Sequence, residues 1–159
     1  MQTLQSGDIA PAFTLLNQNN QSVSLQQFQG KKVLVYFYPK ALTPGCTTQA
    51  CHLRDSKSEL DEFNVVVLGI SPDPVAKLAQ FADKKGLNFM LLSDSDHQVA
   101  EAFGVWGEKK FMGRTYDGIH RISFLVDESG VIEAVFDKFK TGDHHQLVVD
   151  YLKGQQHGK

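Results

Sequence analysis

The chain has 159 residues, of which 42% are hydrophobic and 21% charged, with a formal net charge of −2 and two cysteines. That length suffices for one domain over residues 1–159 that buries its own core without a structural disulfide. The charge, with no dense Lys/Arg stripe, argues against nucleic acid; no apolar run nears the roughly 18 residues of a membrane span; and MQTLQSGDIAP lacks a basic-then-apolar leader, so a cytoplasmic protein is expected.

In chain order, Phe13, Thr14 and Leu15 precede the polar turn NQNNQ, and Val23 and Leu25 then alternate with Ser22, Ser24 and Gln26. This predicts an N-terminal hairpin. KKVLVYFYP (31–39) and NVVVLGIS (64–71) are β-branched and aromatic runs without clean alternation, as in central strands covered on both faces. Between them, residues 44–63 are helix-like, with Thr43 as candidate N-cap, Pro44 in the first turn, and Leu53, Leu60 and Phe63 on one buried face. A second helix is expected over 75–85, stopped by Gly86, followed by the strand NFMLLSD. HQVAEAFGV (97–105) reads as a short helix ended by Gly104, and 106–118 as a glycine-broken, aromatic-bearing loop. RISFLVDESGVIEAVF (121–136) reads as a hairpin, and 144–153 as a last helix behind Asp143 as N-cap. The expected fold is α/β: a central mixed sheet flanked by helices, with the N-terminal β-hairpin as an extension.

Both cysteines lie in YPKALTPGCTTQAC, five positions apart. Cys46 falls in the first helical turn, where free N–H groups and the positive end of the dipole favour an anion such as a thiolate. It is a candidate nucleophile; the alternative is a small buried apolar residue at a strand–helix junction. In a regular helix, residues five apart have Cα atoms about 8.6 Å apart, beyond the roughly 7 Å that a disulfide spans. A bond between Cys46 and Cys51 therefore requires the first turns to unwind, which suits a switch better than a permanent bridge.

Pro39, Thr43 and Cys46 spell P-x-x-x-T-x-x-C, which resembles the active-site signature of peroxiredoxins. TPGCTTQAC, with its second cysteine five positions on, is similar to the Q-type, or bacterioferritin comigratory protein, subfamily. GDIAPAFTL, VLVYFYPK, LGISPD, LLSD, FGVWGEK and GIHRISFLVDESG resemble family segments in family order, over essentially the whole chain. The resemblance implies a thioredoxin-like fold and thiol-dependent reduction of hydrogen peroxide and organic hydroperoxides, with no cofactor.

It further implies that Cys46 is the peroxidatic cysteine and Cys51 the resolving one, with Thr43, Pro39 and Arg121 completing the site. Thioredoxin, or a similar dithiol protein, would be the reductant, and the enzyme a monomer or weak dimer. Taken alone, Arg121 is an ordinary strand-end charge and Thr43 an ordinary N-cap. Gln49 stands where many peroxiredoxins carry glutamate, although the Q-type group often has glutamine. No GGLG segment or C-terminal YF pair accompanies the motif, so easy hyperoxidation by that route is not expected. A thiol–disulfide exchanger on the same fold generally carries C-x-x-C, and a non-enzymatic redox sensor would need a partner surface that the sequence does not identify.

Six histidines, His52, His97, His120, His144, His145 and His157, lack ligand spacing with the cysteines, and DSDHQ lacks the glycine and glutamate of a calcium loop, so no metal is expected. Trp106 and Tyr116 bracket the 106–118 segment as entrance or packing residues.

Overall fold

The computed structural model describes residues 1–157. Its strands are β1 (Thr14–Asn17), β2 (Ser22–Ser24), β3 (Lys32–Phe37), β4 (Val65–Ser71), β5 (Met90–Ser93), β6 (Trp106–Phe111), β7 (Arg114–Ile119), β8 (Ser123–Val126) and β9 (Ile132–Phe136). Its helices are α1 (Pro44–Asp55), α2 (Lys57–Glu62), α3 (Val75–Lys85), α4 (Gln98–Phe103) and α5 (His144–His157). Seven strands form one mixed sheet in the order β2-β1-β5-β4-β3-β8-β9. β3, β4 and β5 run parallel, while β8 pairs antiparallel to β3 and β1 antiparallel to β5.

The unbroken apolar run of β3 reflects cover on both faces. Val33, Val35 and Phe37 point into one core with Phe13, Leu68, Ile70, Phe103 and Phe124. Leu34, Tyr36 and Tyr38 point into the other, with Cys46, Leu53, Leu60, Leu78, Phe81 and Val148. Helix α4 therefore covers one face, and α1, α2, α3 and α5 cover the other. The sheet edge gains the expected N-terminal hairpin, β1 with β2. Gly86 ends α3 and Gly104 ends α4, both in the left-handed conformation.

Three expectations change. The helix expected over 44–63 is two helices, because the chain turns at the buried Ser56 (φ −94°, ψ 6°). The apolar spacing of Leu53 and Leu60 continues across the break and conceals it. The expected 106–118 loop is a hairpin, with β6 paired to β7 from Trp106↔Ile119 to Phe111↔Arg114. Its two-residue turn has Met112 at φ 52° and Gly113 at φ 78°. Both positions require positive φ, which Asn-Gly would have announced and Met-Gly does not. The last helix begins at His144 as expected and runs to His157 rather than residue 153. The Asp143 carboxylate accepts the Lys140 N–H at 2.8 Å, closing the turn ahead of that helix. Among the described residues no helix is long and apolar enough to cross a membrane.

Candidate active site

The β3 strand delivers the chain to Pro39, and a tight loop then returns it as α1 beneath the end of the sheet. Leu42 adopts φ 67° in this loop, an uncommon conformation for a non-glycine residue. Asp73 holds it there: its buried carboxylate accepts the Ala41 N–H at 2.7 Å and the Ser71 hydroxyl at 2.8 Å. LGISPD is visible in the sequence, but only the fold brings Asp73 back against residue 41. This positioning residue was not foreseen.

Thr43 occupies the N-cap position, and the first intrahelical bond runs from the Thr47 N–H to the Thr43 carbonyl at 2.8 Å. Its hydroxyl makes no capping bond; it donates to the Lys40 carbonyl at 2.8 Å. Pro44 starts the helix, so Cys46 lies in the first turn, where backbone N–H groups lack intrahelical acceptors. The Cys46 side chain is 1% exposed.

Arg121, at the entry to β8, reaches across to this helix start. Its Nη2 donates to Cys46 Sγ at 3.2 Å and its Nη1 to Gln49 Oε1 at 2.9 Å. Gly45 permits the approach: a Cβ there would lie 3.2 Å from Arg121 Nη2 and 3.5 Å from Thr141 Cγ2. Arg121 is thus a ligand of the sulfur rather than a free strand-end charge. The site is a thiol at the positive end of a helix, with a guanidinium fixed beside it by an uncharged amide. Such an arrangement sets the positive end of a helix and a guanidinium against the sulfur and offers donors to a departing oxygen.

Pro39 lines a depression of about 270 Å³ with Pro72, Trp106, Lys109, Tyr116 and Ile119, at the base of the β6–β7 hairpin. Trp106 also stacks on His97 at 3.8 Å between ring centroids. The two aromatic residues singled out in sequence therefore do border one recess beside the site.

Cys51 lies one turn and a half further along α1, half-buried; both cysteines are free and the helix is continuous through them. The next residue, His52, stacks on His145 of α5 at 4.4 Å with planes 6° apart. His144 is buried, with Nε2 at 2.7 Å from Ser123 Oγ and its ring against Tyr36 and Phe139. Burial, then neighbouring His145 and Arg121, push its pKa down to about 3.

Residues 6–135 match the AhpC/TSA family. The chain belongs to that family. It is a peroxiredoxin, a thiol-dependent peroxidase, built on the thioredoxin fold. The peroxiredoxin of Haemophilus influenzae named bcp is 74% identical over 153 residues, covering 96% of this chain and 99% of the relative. A PrxQ of Xylella fastidiosa superposes with a TM-score of 0.92 at 28% identity, over 98% of this chain and 99% of that one. A bacterioferritin comigratory protein of Xanthomonas campestris, described for its alkyl peroxide reduction activity, superposes with a TM-score of 0.85 at 33% identity, over 92% of each chain.

Proposed function

We propose that Cys46 is the nucleophile of this peroxidase, with hydrogen peroxide and alkyl hydroperoxides as substrates. The observation that carries the assignment is the 3.2 Å contact from Arg121 to Cys46 Sγ at the start of α1. The thiolate attacks the terminal peroxide oxygen; the O–O bond breaks, sulfur is oxidised to sulfenic acid, and the leaving oxygen takes a proton to depart as water or alcohol. Arg121 and the Cys46 backbone N–H grip the oxygens as charge moves onto them. The Thr43 hydroxyl joins them after turning from the Lys40 carbonyl, and Pro39 shields the sulfenate.

Cys51 then attacks the sulfenic sulfur, forming the Cys46–Cys51 disulfide and releasing water. Because α1 is continuous through both cysteines, this step opens the helix. A dithiol protein such as thioredoxin reduces the disulfide by exchange. The enzyme works in the cytoplasm, as a one-domain monomer or weak dimer.

The test follows peroxide loss with thioredoxin, thioredoxin reductase and NADPH. Cys46→Ser is expected to be inactive, and Cys51→Ser to give one fast turnover without recycling. Activity surviving in Cys46→Ser overturns the nucleophile; unchanged recycling in Cys51→Ser overturns the resolving role. An oxidised protein with residues 44–52 still helical would contradict helix opening.

A further inference from the structure

Helix α5 presents a fixed surface to the second half of α1. It is anchored by His144, buried with Nε2 at 2.7 Å from Ser123 Oγ of β8, and by Val148, Val149 and Leu152 in the core. Lys153 also reaches Glu59 of α2 at 3.5 Å. From this surface His145 lays its ring on that of His52, with centroids 4.4 Å and planes 6° apart. Both residues are half-buried, and His145 Nδ1 has no partner among the described residues. Burial, and then His52, hold His145 below the ordinary histidine pKa, so its ring is chiefly uncharged at neutral pH and packs as an aromatic plane.

His52 follows Cys51 directly in α1. The backbone change that brings Cys51 within reach of Cys46 passes through the peptide joining Cys51 to His52, so the His52 ring leaves its place as the helix opens. Beyond it the chain is tied down: the Ser56 N–H donates to the His52 carbonyl at 3.1 Å, and Asn88 Nδ2 donates to the Arg54 carbonyl at 3.2 Å. The stack therefore lies at the border between the turns that open and those that stay, and joins that border to a helix which the opening leaves in place.

We propose that His145 is a positioning residue for the resolving step, a latch on α5 that holds His52, and with it Cys51, in the closed helix. The stack is intact while Cys46 meets peroxide and is lost when Cys51 swings towards the sulfenic sulfur. It thus restrains disulfide formation and leaves sulfenate formation untouched. This rests on Cys51 being the resolving cysteine.

The test mixes the reduced protein rapidly with hydrogen peroxide at neutral pH and follows peroxide loss and, by quenching and mass spectrometry, conversion of sulfenate to disulfide. His145→Ala is expected to speed the conversion about 3-fold, as loss of one aromatic pair implies, with the first-turnover rate of peroxide loss unchanged. His145→Phe keeps a ring on His52 and is expected to restore the wild-type rate. His52→Ala should match His145→Ala, and the double variant should be no faster than either, because one contact is removed in each case. An unchanged conversion rate, additive acceleration in the double variant, or failure of phenylalanine to restore overturns the proposal, as does an equal change in both steps. Should His145→Ala lose its cooperative thermal unfolding, His145→Gln carries the same expectation. If the resolving assignment were the faulty part, Cys51→Ser would still recycle; if only the latch were, Cys51→Ser would not recycle and His145→Ala would convert at the wild-type rate.

Discussion

Arg121 shows how much depends on the shape of a single side chain. One guanidinium nitrogen rests on Gln49 and another on Cys46, a planar fork held at two points. Lysine keeps the charge but offers a point donor on a flexible stem. Arg121→Lys is therefore expected to slow sulfenate formation by about 10- to 100-fold while leaving the fold intact, as read by stopped-flow peroxide reduction and circular dichroism. A rate within error of wild type would mean that charge alone suffices. The neighbouring choice of Gln49 has a cost: its Nε2 is buried without a protein partner, a condition worth roughly 1–3 kcal/mol when water cannot substitute. What it avoids is a carboxylate beside the thiol.

At the scale of elements, α1 is anchored unevenly. Gln49 Nε2 in α1, and Nδ1 of His145, whose ring stacks on His52 of α1, are buried without protein partners. Its C-terminal end is better held. The Arg54 guanidinium donates to the Lys85 carbonyl at the end of α3, and Asn88 Nδ2 donates to the Arg54 carbonyl at 3.2 Å. Opening is thus expected to spread from Pro44 and to meet resistance at Arg54. Arg54→Met should speed conversion of the sulfenate to the disulfide by about 3-fold, corresponding to one net hydrogen bond, measured by rapid mixing and mass spectrometry. An unchanged rate would show that unwinding stops short of this clamp.

For the whole molecule, His144 links the site to stability. Its pKa falls from the ordinary value of about 6.5 to about 3 in the fold, chiefly through burial between Tyr36, Ser123 and Phe139. A depressed histidine keeps its full contribution above the unfolded value and loses it as pH falls towards the folded one. Denaturant unfolding at pH 5 rather than pH 7 should therefore show a loss of about 2 kcal/mol from this group. His144→Gln should remove that part of the pH dependence, and an identical slope in the variant would dismiss His144 as its source.

The strands and helices that line a core were legible in the sequence because burial imposes a pattern on it. Val33 to Phe37 read as a doubly covered strand, and the pattern over 75–85 marked α3 with Gly86 as its end. The cysteine spacing, the helix start at Pro44 and the P-x-x-x-T-x-x-C motif likewise belong to local chemistry, and the family resemblance followed from them. The β6–β7 hairpin was not legible, since Lys110, Phe111, Met112, Arg114 and Tyr116 are exposed and exposed strands carry no burial pattern. Nor were the bonds from Arg121 to Cys46 and from Asp73 to Ala41. Sequence alone determined which residues could carry the chemistry. Tertiary structure decided which of them meet, because each such contact joins elements that hydrogen-bond pairing and core packing bring together from distant parts of the chain.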